Sequence, residues 1–232
     1  MKSSLFAAAM TVACLATPGH AASVVWQTPQ NISGTSDVSL QGNYFGSWAP
    51  NDAGASAFPV AGISFQGFSD LPGLTNNLDD GGQFFGGQGT SDSNYNTLLS
   101  YGRYVYSTDS RSFSWGGMTS GNTYLLEVWI SDPRSIGSSR SATLSGDGDT
   151  SPSLSYPSDG TGKGQYIIGT FVAGADGTQT ITIDPSQNGD PSAGSAQINL
   201  LLVRDLGVVP EPASASLLGV GLIGLLARRR RI

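Results

Sequence analysis

Apolar residues in this chain recur at every second position over short runs, and no stretch keeps the three-to-four spacing of an amphipathic helix. Thr180-Ile181-Thr182-Ile183-Asp184, opened by the turn residues Gly177-Thr178-Gln179, is the plainest case. Alternation sends successive side chains to opposite faces of an extended backbone, so such a run reads as a half-buried strand. Val24-Val25-Trp26, Ala61-Gly62-Ile63-Ser64-Phe65 and Arg111-Ser112-Phe113-Ser114-Trp115 read the same way. The strongest run is Tyr124 to Ile130, after the turn Ser120-Gly121-Asn122. Gln165 to Val172 is another, in which Gly169 marks a bulge or a close approach of backbone. Gln197 to Val203 is almost continuously apolar, as a central strand covered on both faces would be. Asn94 to Leu99 alone suits a short helical turn. About eight to eleven strands with turn-rich joints predict an all-β fold, an antiparallel β-sandwich rather than βαβ units. No repeat of fixed period appears, which argues against a propeller or solenoid. The polar stretches 29–37, 70–94, 131–140 and 145–163 are expected to be loops at the sandwich ends, where functional residues usually sit.

The two ends follow other rules. Met1-Lys2-Ser3-Ser4, an apolar run from Leu5 to Leu15 and then Ala16-Thr17-Pro18-Gly19-His20-Ala21-Ala22 have the order of a secretory signal peptide. The run is shorter than the roughly 20 apolar residues that span a bilayer. Cleavage between Ala21 and Ala22 places Gly19 and Ala21 at the two positions that must be small; cleavage after Ser23 is the alternative. The expected division is a signal peptide over 1–21, a β-sandwich outer domain over 22–208 and a tail over 209–232. In the tail, Val209-Pro210-Glu211-Pro212 cannot continue a helix or strand, because each proline removes a donor and fixes φ. Ala213 to Ala227 is apolar and small, with Gly219, Gly221 and Gly224 spaced as in membrane helices. It is expected to be a short transmembrane helix. Arg228, Arg229, Arg230 and Arg231 resist crossing the bilayer and so fix the outer domain outside.

This tail resembles the PEP-CTERM sorting signal of Gram-negative bacteria in its motif, its apolar helix and its arginine cluster, taken in that order. The resemblance implies that Val209, Pro210, Glu211 and Pro212 are recognised by an exosortase, a membrane transpeptidase, after passage through the Sec translocon and removal of the leader by signal peptidase. It also implies a destination at the cell surface or in an exopolysaccharide-rich extracellular or biofilm matrix. A plain membrane anchor with a stiff Pro-Glu-Pro linker is the alternative reading.

The composition of the body excludes much chemistry. The single cysteine, Cys14, and the single histidine, His20, both fall in the leader. The mature body therefore has no disulfide, no cysteine nucleophile, no histidine-assisted serine and none of the ordinary zinc or copper ligand sets. Between residues 22 and 209, six basic side chains face sixteen acidic ones, a formal balance of −10, which opposes binding to nucleic acid.

Residues 110–205 resemble, at the level of pattern, malectin-like and galactose-binding-like jelly rolls. The resemblance lies in Gly116 to Tyr124, the strand to Ile130 with Ser131-Asp132-Pro133-Arg134, the Gly164 to Gly169 strand, Thr180 to Ile183 and Ile198 to Val203. It implies a jelly-roll sandwich and makes sugar binding an expectation, without assigning any binding residue. From the residues themselves, Asp132, Arg134 and Arg140 are either ligand-gripping groups at a loop mouth or a salt-bridged network holding that loop. Asp147-Gly148-Asp149 and Asp79-Asp80-Gly81 supply oxygens of the kind that ligate calcium as a cofactor, and they are equally what tight turns require. Tyr95, Tyr101, Tyr104 and Tyr106 are either a stacking face for sugars or ordinary packing. Trp26, Trp48, Trp115 and Trp129 read as core. Acid–base hydrolysis needs two facing carboxyl groups, and the only glutamate of the body, Glu127, lies inside a strand. The expected role is non-enzymatic contact with extracellular polysaccharide. The alternatives are a structural coat protein without a discrete ligand and a carbohydrate-active hydrolase or lyase.

Overall fold

The strand from Thr123 to Ile130 organises the molecule, because both of its faces are covered. Tyr124, Leu126, Val128 and Ile130 point into one apolar core, while Trp129 joins a second on the opposite side. The computed structural model describes residues 23–50, 58–65, 70–78, 80–83, 89–105, 107–133, 135–159, 163–186 and 195–208. The leader, the Ala21–Ala22 junction and residues 209–232 lie outside them. Among the described residues no helix is long and apolar enough to cross a membrane.

Eight strands of five or more residues carry the fold among the described residues: β1 (Asn43–Trp48), β2 (Arg111–Trp115), β3 (Thr123–Ile130), β4 (Ser135–Gly146), β5 (Leu154–Asp159), β6 (Gln165–Val172), β7 (Gln179–Ser186) and β8 (Leu200–Gly207). Their ladders are antiparallel and join β1 to β8, β2 to β7, β3 to β6 and β4 to β5. β8 also pairs with β3, and β7 with β4. One sheet thus runs β1-β8-β3-β6 and the other β2-β7-β4-β5. This is the order produced when a long antiparallel hairpin of four strands against four is rolled so that successive pairs fall in alternate sheets. The expected jelly-roll sandwich is the observed one. Val25–Trp26 and Gln30–Asn31 extend the first sheet beyond β6, and Thr75–Asn76 extends the second beyond β2.

Between the sheets, Trp48, Phe113, Trp115, Leu144, Tyr156, Ile181 and Leu201 form part of one continuous core. Burying each large apolar side chain stabilises the fold by about 1.5–3 kcal/mol before conformational entropy is set against it. The reading of Trp48, Trp115 and Trp129 as core is the observed arrangement, and Trp26 packs half-buried at the margin. A second core lies on the outer face of the first sheet, where Trp129, Leu200 and Leu202 are covered by a helix, α1 (Ser93–Ser100), and a hairpin of Phe58–Val60 and Ile63–Phe65. The helix starts where Asp92 accepts the backbone N–H of Tyr95 at 2.8 Å. The hairpin closes through Ala61 and Gly62, both at positive φ, the two-residue turn that suits strand twist.

Two of the expected loops are not loops. Residues 131–140 and 145–163 contain most of β4 and all of β5. β4 reads as a loop because Ser and Gly dominate it and its inward positions include the charged Arg140 beside Ala142 and Leu144. β1 escaped the pattern altogether. Its Gly46 is required by packing, since a Cβ there would sit 2.8 Å from Leu71 Cδ2. Gly169 resolves in favour of close approach: a Cβ would lie 2.5 Å from Val24 Cγ1 and 2.9 Å from the Trp26 ring.

Candidate functional site

On the outer face of the first sheet, the alternation that buries Leu200 and Leu202 places Arg204 next in line on β8. Arg204 stands opposite Leu125 of β3 on one side and Tyr44 of β1 on the other. A bulge between Val203 and Arg204 skips Phe45 of β1. The extra residue turns Phe45 to an edge-on contact with Tyr124, at 5.3 Å between ring centres, and leaves Tyr44 on the outer side. Beside these residues lies an open cavity of about 460 Å³, lined by Leu40, Tyr44, Gly62, Ile63, Ser64, Asp70 and Arg204.

The polar groups of this cavity are held from behind. Asp70 Oδ1 accepts the backbone N–H of Ser47 and Oδ2 accepts the Tyr44 hydroxyl, both at 2.5 Å. Burial, and after it the hydrogen bond to Asp70, push the Tyr44 hydroxyl above its ordinary pKa, so it stays a donor. Arg204 donates through Nε to the Gln41 carbonyl at 2.5 Å and through Nη2 to the Gly42 carbonyl at 2.6 Å. Arg204 and Asp70 do not pair with each other. Leu40 and Tyr44 remain 59% and 42% exposed at the rim.

The segment carrying Leu40 is tied over the sheet by Arg204 at one end and by Glu127 at the other. The Ser39 backbone N–H donates to Glu127 Oε2 at 2.9 Å. Glu127 is 0% exposed and its Oε1 has no partner. Burial first, and then the nearby charge of Asp37, raise its pKa to about 8, against the pull of Ser39 and Arg204. Asp37 is also buried, but satisfied: it accepts from the Ser33 N–H and hydroxyl, the Gly34 N–H and the Tyr95 hydroxyl. A neutral carboxyl is what a general acid needs. Here the carboxyl is fully buried and holds the backbone N–H of Ser39.

The sequence candidates occupy other places. Asp132 and Arg140 are brought together as a buried ion pair, and the guanidinium lies 4.9 Å from the centre of the Tyr156 ring. Burial raises the Tyr156 hydroxyl to about 12. Both charges are enclosed, in the arrangement of a loop rivet, and Arg134 lies outside the described residues. Asp147 and Gly148, both at positive φ, are the two central residues of a hairpin turn closed by the Gly146–Asp149 pair, and Asp147 and Asp149 are exposed. Asp79 is outside the described residues, and Asp80 begins a short strand. No group of three or more acidic, His or Cys side chains that could hold a metal occurs among the described residues. Tyr95, Tyr101 and Tyr104 are packed inside, and Tyr106 is outside the described residues. Sequence reasoning missed Tyr44, Asp70 and Arg204. One signal was available: a lone arginine keeping the parity of Leu200 and Leu202 past the end of the apolar run.

Residues 208–231 match the PEP-CTERM protein-sorting motif, which marks the chain for export and sorting to the surface. The match begins one residue before the expected Val209 and spans Pro210, Glu211 and Pro212 and the arginine cluster. No curated protein matches the chain. Among solved structures, it is similar to the ANXUR2 extracellular domain from Arabidopsis thaliana, with 13% identity and a TM-score of 0.46, over 81% of this chain and 50% of that one. The chain thus spans half the length of that domain. It is also similar to a family 35 carbohydrate binding module from Clostridium thermocellum, with 15% identity and a TM-score of 0.34, over 56% and 90% of the two chains. The C-terminal CBM6 of LamC from Zobellia galactanivorans gives 16% identity and a TM-score of 0.30, over 56% and 90%.

Proposed function

We propose that this protein passes the Sec translocon of a Gram-negative bacterium, loses its leader to signal peptidase at the Ala21–Ala22 junction, and is handed by its tail to an exosortase. The processed jelly roll then works at the surface or in the extracellular matrix, where it binds polysaccharide without turning it over. The observation that carries the reading is the sorting motif over 208–231, which starts immediately after Gly207, the last residue of β8. Val208 is 70% exposed, so the chain leaves the sheet straight into the segment to be processed.

A polysaccharide partner is supported by the cavity over β1 and β8, where an exposed ring and carboxylate stand beside the largely buried guanidinium of Arg204. An acidic surface with few bases opposes nucleic acid. The non-enzymatic reading is supported by the enclosure of Glu127, which leaves Asp70 as the carboxylate lining the cavity among the described residues.

Replacing Pro210, Glu211 and Pro212 together with alanine tests the sorting step. Full-length protein is expected to accumulate in the inner membrane, and unchanged release would defeat the exosortase assignment. Mass spectrometry of the processed protein is expected to find Ala22 at its N-terminus; an intact Met1 would remove the export step.

A further inference from the structure

We propose that the cavity lined by Tyr44, Asp70 and Arg204 is the carbohydrate subsite of this protein and that it takes a neutral hexopyranose residue. The inference rests on the polysaccharide reading above and assigns it a place and a sugar class.

The cavity offers complementary hydrogen-bonding groups that its own walls leave in part unused. Arg204 spends Nε and Nη2 on the carbonyls of Gln41 and Gly42, and among the described residues no acceptor meets Nη1. The guanidinium is thereby fixed in orientation while keeping a donor edge. Asp70 spends one lone pair of each oxygen on Ser47 and Tyr44, and a carboxylate has about four acceptor sites. One group that only donates and one that only accepts, held apart in the same cavity, suit neighbouring hydroxyls, each of which both donates and accepts.

Charge selects within the sugars. The two charged groups cancel, so the cavity offers no net positive charge to the carboxylate of a uronate, and the acidic body around it disfavours one. The exposed faces of Leu40 and Tyr44 supply apolar contact for the C–H faces of a pyranose ring. The volume of about 460 Å³ falls in the range of roughly 300–1,000 Å³ common to small-molecule sites. Preorganisation by Ser47, Gln41 and Gly42 means that binding does not have to immobilise the polar side chains.

The test titrates the processed protein, purified from culture, with the methyl glycosides of glucose, galactose and mannose and with glucuronate. Binding is followed by NMR shifts, and cosedimentation with purified matrix polysaccharide is measured in parallel. Saturable binding of at least one neutral glycoside is expected. Leu40→Ala and Asp70→Asn should each weaken it about tenfold, the scale of one lost contact. The thermal midpoint of Leu40→Ala should match that of the parent, since Leu40 is exposed. Neutral glycosides that bind equally well to both variants, or a preference for glucuronate, would overturn the cavity assignment and leave the polysaccharide reading standing. Cosedimentation without any glycoside binding would do the same. Absence of both would defeat the polysaccharide reading as well, in favour of a coat protein without a discrete ligand.

Discussion

Glu127 is where burial and ionisation oppose each other most directly. Its carboxyl titrates near 4.5 when exposed and near 8 in the fold, so across that interval the folded state holds the additional proton. The stability it contributes is fully present below about pH 4.5 and is lost as pH rises through about 8, by an amount on the order of a few kcal/mol. Denaturant midpoints measured from pH 5 to pH 9 should therefore fall, and Glu127→Gln should flatten the profile. An unchanged slope in that variant would show that another group titrates. Asp132 and Arg140 make the opposite case, two charges whose mutual contact offsets their desolvation. Asp132→Asn leaves a buried guanidinium without its counterion, at an expected cost of about 3–5 kcal/mol in chemical denaturation. Asp132→Leu combined with Arg140→Met should recover most of that loss. At this scale the sequence exposed the pair and both of its readings, because Asp132, Arg134 and Arg140 are neighbours in the chain. It did not expose Tyr44, Asp70 and Arg204, which meet only after β1 and β8 have paired.

Among elements, legibility followed the alternation of apolar side chains. β3, β6 and β7 were plain because large apolar residues recur at every second position. β4 was hidden because its partner contacts include a charge, Arg140 against Asp132, and because Ala142 fills a place that a large residue usually marks. β1 was hidden by Gly46 and by the bulge at Phe45, which breaks the period of two. Glycine in a strand carries its own message, as Gly169 shows. Gly169→Ala should press against Val24 and Trp26 and loosen the first extended segment, at a cost of about 1–3 kcal/mol. Hydrogen exchange at Val25 and Trp26 should rise in that variant while β3 stays protected. Uniform loosening of both would mean that the glycine supports the whole sheet instead.

Over the whole molecule, the sequence made the sandwich legible but not its layering. A period-two pattern shows that a face is buried and not what covers it. The outer face of the first sheet is roofed by α1 and the Phe58–Phe65 hairpin, and the cavity opens where that roof ends. The rolled strand order has a further consequence, through β8. The strand nearest the sorting segment is flanked on both sides, and its neighbour β1 comes from the opposite part of the chain: Trp48 finds its partner in Leu201. Such distant pairings make folding slow and all-or-none. A polypeptide ending at Asn199 should lack a cooperative unfolding transition and fall quickly to protease; a sharp transition would show that the remaining strands suffice. Among the described residues β8 alone joins β1 to β3 and β6, so the first sheet stays in two pieces until the stretch of chain that adjoins the sorting segment has arrived.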